Sequence, residues 1–354
     1  MRNMSTAAAI FLAGLLLSPL GIVNADDGNP LYARPIFYPF SKLDGDDYSD
    51  YRPVLNADAT VVIFERTFTN NPNLTQLYTA DLATNIVQQF VNTESFRPDW
   101  CWNRTKGRPL TIGPVAFSNV SGVFVISGTA LTLLPNTAGM VYPSWYPDCL
   151  SMAVDVGENT QIPGEHVTAR INAVTGKVIT PLLANDAVWA GFPSVNQVDP
   201  RLISFAGQFK GGSNYYNELL NYTWVTDRST KPPTVAPMDH EAPAGPGFLQ
   251  KFQARAGWWS PDGRWFAFES NRVCDEIDGL TYAIFIQDAH GAKPAMQVTS
   301  CDWNSNHPKW FPPGSTGNKT LLIAAVAKPG EAAPFHIATL DVTAFVDEHW
   351  ERRP

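Results

Sequence analysis

The chain has 354 residues, with 25 Lys and Arg against 33 Asp and Glu and a formal net charge of −8. That balance leaves no cationic surface to displace counterions from a phosphate backbone, so nucleic acid is excluded as a partner. The 4 cysteines include no Cys-x-x-Cys pair, which argues against a zinc centre or a thioredoxin-like redox pair.

The chain opens with an export signal. Arg2 precedes an apolar run over 7–17, and Val23-Asn24-Ala25 places small residues at a cleavage site, so residues 1–25 are expected to be removed. A retained anchor is the rival reading, but the run is short for a bilayer and Asp26 and Asp27 follow it. No later stretch is apolar enough to cross a membrane. Export predicts an oxidising compartment, periplasmic or extracellular, where Cys101, Cys149, Cys274 and Cys301 form disulfides. Asn73, Asn103, Asn119, Asn221 and Asn318 each head an Asn-x-Ser/Thr triplet and become glycan acceptors in a eukaryotic host.

Asp44, Asp46, Asp47 and Asp50 offer hard oxygen ligands, but no twelve-residue calcium loop follows in register. They read as a solvated acidic loop, and no metal or cofactor is expected.

From residue 52 onward the chain repeats. Arg52-Pro53-Val54-Leu55, Arg97-Pro98-Asp99-Trp100, Tyr142-Pro143-Ser144-Trp145, Phe192-Pro193-Ser194-Val195 and His307-Pro308-Lys309-Trp310 share a Pro step and a large apolar residue, and Ala256-Gly257-Trp258-Trp259 keeps the pattern with Gly. Turn residues follow, as in Asn56-Ala57-Asp58, Tyr146-Pro147-Asp148 and Ser260-Pro261-Asp262-Gly263, because Pro presets φ while Asp, Asn and Gly accept tight positions. Short β-rich runs come next, for example 61–64, 150–154 and 265–268. Repeat starts near 53, 98, 143, 193, 257 and 308 are spaced like the blades of a propeller, with the long interval after 193 assigned to loop insertions at 210–217 and 231–247. The expected fold is therefore all-β: one six-bladed β-propeller domain over 26–354. The strand 34–40, with alternating Ile36, Tyr38 and Phe40, is expected to close the ring against the last blade. A two-domain reading needs a linker, and the Pro-rich candidate at 231–247 falls inside a repeat.

The run Trp259-Ser260-Pro261-Asp262-Gly263-Arg264-Trp265-Phe266-Ala267-Phe268-Glu269-Ser270-Asn271-Arg272 resembles the blade signature of TolB-like propellers, and 307–314 is a looser copy. The resemblance implies a six-bladed fold shared by periplasmic scaffolds, peptidase gating domains and some lyases, and fold alone does not choose among them. No Gly-x-Ser-x-Gly elbow or His-Glu-x-x-His pair is present, which sets a peptidase aside.

The residue before each repeat Pro occupies one equivalent place, giving a ring of Arg52, Arg97, Tyr142, Phe192, Ala256 and His307 at one channel mouth. Sixth and first blades adjoin, so His307, Arg52 and Arg97 should stand together as potential cations suited to a carboxylate. The competing reading pairs these arginines with Asp50, Asp99 or Asp302. Trp100, Trp145, Trp258, Trp259 and Trp310 are read as packing between blades rather than a sugar platform. Cys274 and Cys301 share a blade and its exit, and Cys101 and Cys149 lie near inner hairpins of neighbouring blades, so bridges are expected there, with unpaired buried thiols as the alternative.

Two function classes follow. The first is a monomeric binding protein holding an unknown protein partner or a small anionic ligand through Arg52, Arg97, Tyr142 and His307. The second is a lyase-type enzyme on a carboxylate-bearing substrate, with the arginines neutralising the carboxylate and His307 as catalytic base. The resemblance to oligogalacturonate lyases suggests the second, although those enzymes gather several histidines around a metal and only His307 is equivalently placed here.

Overall fold

Each Pro step folds into the first strand of a four-stranded antiparallel meander. The computed structural model describes residues 32–41, 47–102, 113–157, 168–182, 187–209, 222–227, 234–237, 254–274, 281–289, 295–331 and 333–351. These contain six four-stranded sheets, numbered here in chain order from the one that begins at Tyr48. Their first strands are Tyr48–Leu55, Phe96–Trp100, Val141–Trp145, Ala187–Val195, Ala254–Trp259 and Ser305–Trp310. Each of these touches the first strand of the next sheet, and the last returns to touch Tyr48–Leu55, so the first strands surround a shared axis. This is an all-β propeller.

Burial falls from the axis outward, which explains the sequence pattern. Second strands Ser151–Asp155 and Trp265–Ser270 are buried at every position, because neighbouring sheets cover both faces. The outer strand Ala130–Leu133 is exposed throughout. Three tryptophans join sheet to sheet: the indole N–H groups of Trp145, Trp259 and Trp310 donate to the carbonyls of Asp99, Ser194 and Trp258 in the preceding sheet at 3.2, 3.0 and 2.9 Å. A buried indole thus keeps both its apolar area and its polar partner, as the packing reading expected.

The outer strand of the sixth sheet comes from the other end of the chain. Ile36 and Phe37 pair antiparallel with Thr339 and Ala338. The paired segment is shorter than the expected 34–40, and beyond Ile36–Phe37 the Tyr38 N–H still donates to Ile337 at 3.1 Å. The helix Thr343–Glu351 was not anticipated. Asp341 Oδ1 caps it by accepting the Thr343 N–H at 3.1 Å, and Val346 is buried in the apolar cluster beneath.

Both disulfides join the expected pairs, Cys101–Cys149 and Cys274–Cys301. The first ties the exit of the second sheet's inner strand to the third sheet. Asn73 and Asn318 are exposed, and Asn119 is half-buried, its side-chain amide donating to the Glu94 carbonyl at 3.3 Å. Asn103, Asn221, the signal at 1–25 and the insertion at 210–217 lie outside the described residues, and of 231–247 only Thr234–Pro237 is described: it is no loop insertion but the fourth strand of the fourth sheet, paired with Tyr222–Asp227.

The acidic loop needs correction at Asp50. It is fully buried, its carboxylate held by Arg66 at 2.6 and 2.7 Å and by the Ser41 hydroxyl at 2.7 Å. Asp47 is exposed, and Asp44 and Asp46 are outside the described residues. A two-pronged guanidinium makes this burial tolerable, where an unpaired carboxylate would be neutralised.

Candidate functional site

All six residues expected to ring the channel adopt left-handed backbone. Arg52, Arg97, Tyr142, Phe192, Ala256 and His307 have φ of 48°, 60°, 53°, 52°, 51° and 50°. Each sits at a register shift within its strand rather than at the strand's start, as between Tyr51 and Val54 or Asn306 and Lys309. A bulge re-aims the side chain it carries. Left-handed backbone costs a non-glycine residue about 1 kcal/mol or more, so six of them cost on the order of 6 kcal/mol. Glycine would adopt this conformation freely, yet none stands there. The side chains themselves are what the ring retains.

The fifth repeat's Gly257 has a separate cause. A Cβ there would lie 2.0 Å from the Phe266 ring, and the positions in register with Phe266 in the other sheets are the smaller Val62, Val115, Met152, Ile203 and Leu322.

Two buried glutamates on second strands fix the ring. Glu65 accepts the backbone N–H of Arg97 and also binds Arg52, whose Nη1 lies 2.7 Å from Oε2. Glu269 accepts the His307 N–H at 2.7 Å and Arg255 Nε at 2.7 Å. Each carboxylate therefore holds the next sheet's left-handed residue and an arginine of its own sheet. Burial opposes the charge on Arg52, but Glu65, Tyr142 and Tyr51 outweigh it and the guanidinium stays firmly protonated.

The expected acidic partners lie elsewhere. Asp50 serves Arg66, Asp302 accepts from the Ser300 hydroxyl at 2.7 Å, and Asp99 faces Lys309 at 4.0 Å while accepting the Trp145 N–H at 2.9 Å. Arg97 differs from all of these. Its guanidinium lies over the Tyr142 ring at 3.9 Å, its buried Nε has no hydrogen-bond partner, and among the described residues no carboxylate pairs with it.

His307 is not the titrating cation expected from sequence. Burial, then the positive fields of Arg52, Arg255, Lys309 and Arg97, hold its imidazole well below the ordinary range, so it is neutral at physiological pH. Its ring meets Tyr51 edge-on at 4.6 Å and stacks on Phe192 at 6.0 Å.

These groups line a cavity of about 50 Å³ together with Trp258 and Lys309, and no acidic side chain is among its described lining residues. A second cavity of about 20 Å³ shares Trp258 and Lys309 and is walled by Trp100, Trp102, Trp145 and Trp310 with Asp99. Burial lowers Lys309 to about 7, Asp99 opposing and Arg52 reinforcing the drop. Burial likewise raises Asp99 to about 6 against the pull of Lys309.

Sequence reasoning gathered the ring but missed Lys309, Trp258, Glu65 and Glu269. Lys309, Trp258 and Asp99 occupy the place right after the Pro or Gly step, so a second ring was open to the same alignment. Among the described residues no three His, Cys, Asp or Glu side chains gather as a metal site.

No protein-family model and no curated protein matches the chain. Solved structures do. TolB from Acinetobacter baumannii is 14% identical, with a TM-score of 0.50, over 84% of this chain and 64% of that one, so the chain spans less than two thirds of that protein. An oligogalacturonate lyase in complex with manganese is 11% identical over 88% of this chain and 96% of the lyase, TM-score 0.51. An α-L-arabinofuranosidase from Fusarium graminearum in complex with an iminosugar inhibitor is 11% identical over 89% and 98%, TM-score 0.50. At these identities the likeness carries the fold alone.

Proposed function

We propose that this chain, a TolB-like β-propeller by fold, is an exported binding protein that holds a small anionic ligand, or the anionic tip of a protein partner, at the mouth of its channel. It acts as a monomer, in a periplasm or outside the cell, as one six-bladed domain over 26–354 closed by its N-terminal strand after loss of residues 1–25. In a eukaryotic host its sequons carry glycans. Two disulfides and the absence of any long apolar helix among the described residues fit an extracytoplasmic life.

One observation carries this reading: the Arg97 guanidinium enters the cavity with a buried, unpartnered Nε and no carboxylate beside it. Arg97 is half-buried and no carboxylate neutralises its guanidinium, so an anion supplied from outside gains a charged hydrogen bond at the unpartnered Nε. Tyr142 supports the guanidinium from one face. Arg52 differs in that Glu65 neutralises it through Nη1, although its buried Nε is as unpartnered as that of Arg97.

Calorimetric titration with acetate and longer carboxylates tests the reading. Arg97→Ala should weaken binding at least about tenfold, the worth of one charged hydrogen bond, and Arg52→Ala less. Equal affinity in wild type and Arg97→Ala defeats it.

The lyase reading has one observation in its favour, the neutral His307 imidazole beside the cationic cluster. A neutral imidazole is the form that takes a proton. Turnover of uronate-type substrates that His307→Gln abolishes without loss of carboxylate binding would favour it.

A further inference from the structure

The cavity contains a nucleophile that anion binding leaves unused. Lys309 follows Pro308 in the sixth inner strand and lines both cavities. Its side chain is 14% exposed, and Nζ rests against the face of Trp258. The nearest carboxylate oxygen, Asp99 Oδ1, is 4.0 Å away and beyond hydrogen-bond reach. Arg52 and Arg97 line the same space. A lysine desolvated among aromatic rings and beside other cations is the recognised setting for an amine that attacks carbonyl carbon.

We infer that Lys309 forms an imine with a small oxo acid whose carboxylate is held by Arg97, an inference that rests on the anion site proposed above. Nζ adds to the carbonyl carbon, forming a C–N bond as the carbonyl π bond opens and its oxygen takes up a proton while nitrogen gives one up. The carbinolamine then loses its protonated hydroxyl as water, and the nitrogen lone pair completes the C=N bond. Amine and carbonyl become imine and water, with no oxidant or reductant.

The surroundings suit each step. Burial, opposed by Asp99 and reinforced by Arg52, brings Lys309 to about 7, so the free amine is available near neutrality. Asp99, raised to about 6, is the nearest acid to exchange protons with the carbinolamine. A cavity of about 50 Å³ holds about four water-sized positions at roughly 12 Å³ each. That room suits a two- or three-carbon oxo acid and not an oligosaccharide.

The test treats the full protein with glyoxylate and cyanoborohydride, then maps carboxymethylated lysines by mass spectrometry. Lys309 should be labelled at least about tenfold faster than Lys319, whose side chain is 65% exposed. Arg97→Ala should lower the ratio of labelling by glyoxylate to labelling by propanal, which has no carboxylate, about tenfold. Titration with oxamate, an unreactive isostere, reads the anion site by itself. Oxamate binding with Lys309 labelled no faster than Lys319 overturns the imine and leaves the binding reading intact. No oxamate binding, with glyoxylate labelling indifferent to Arg97→Ala, overturns both.

Discussion

The Glu269 carboxylate accepts the backbone N–H of His307 at 2.7 Å across the boundary between the fifth and sixth sheets. Glu65 repeats the arrangement for Arg97 one sheet past its own. A left-handed residue ahead of proline has few ways to be held, and these carboxylates anchor it while neutralising an arginine alongside.

Removing either carboxylate should therefore cost more than one hydrogen bond. Glu65→Ala leaves Arg52 without its partner and the Arg97 N–H without an acceptor, a loss of about 3 kcal/mol. Glu65→Gln keeps an acceptor for the N–H and should lose about half as much. Urea unfolding of the two variants checks the order, and equal losses would show that the N–H contact contributes nothing.

The strain in the ring is measurable at its one alanine. Ala256→Gly relieves a φ of 51° and should stabilise the fold by about 1 kcal/mol. Gly257→Ala should do the opposite, because its Cβ would meet Phe266 at 2.0 Å, an overpacking cost of about 2 kcal/mol. Thermal melts of the pair should move in opposite directions.

Stability should depend on pH through Asp99 and Lys309, with opposite signs. The Asp99 carboxyl lies at about 6 when folded and near 3.9 when unfolded, so the native state binds the extra proton in that window and stability falls as pH rises through it. Lys309 lies at about 7 when folded and near 10.4 when unfolded. There the unfolded chain binds the extra proton, so stability climbs from neutral to alkaline pH. Lys309→Met should abolish that climb, and Asp99→Asn should flatten the acidic slope. Denaturant midpoints across pH read both, and an unchanged alkaline slope in Lys309→Met contradicts the assignment.

The two disulfides close loops of different length, with sequence separations of 48 and 27. Chain entropy assigns them about 4 and about 3.5 kcal/mol. Replacing both cysteines of each pair by alanine should lower stability in that order, with the Cys101–Cys149 pair also loosening the second sheet from the third. Pulsed hydrogen exchange in 115–119 and 151–155 detects that loosening.

Much of this was legible from residue order. Pro steps recurring at blade-like spacing placed the inner strands, and the residue ahead of each step defined the ring that lines the cavity. The position after each step was passed over as unconstrained, although it carries Asp99, Trp258 and Lys309. Glu65 and Glu269 were invisible for a different reason. They lie on second strands, and only the register that sets Glu65 opposite Tyr51 and Glu269 opposite Arg255 brings them to the ring. Local charge also misled: Asp50 sits in an acidic run that reads as solvated, and its burial depends on Arg66, sixteen residues away. The neutral state of His307 arises from its burial, reinforced by four cations on different strands, a combination that spacing does not display.

The account stands on an anion site at Arg97, and a bromide soak of crystals read by anomalous scattering tests it most directly. It predicts a peak beside the Arg97 guanidinium, between Tyr142 and Lys309, that disappears in Arg97→Ala. Bromide confined to the outer surface, with the channel mouth empty of it, would contradict the claim.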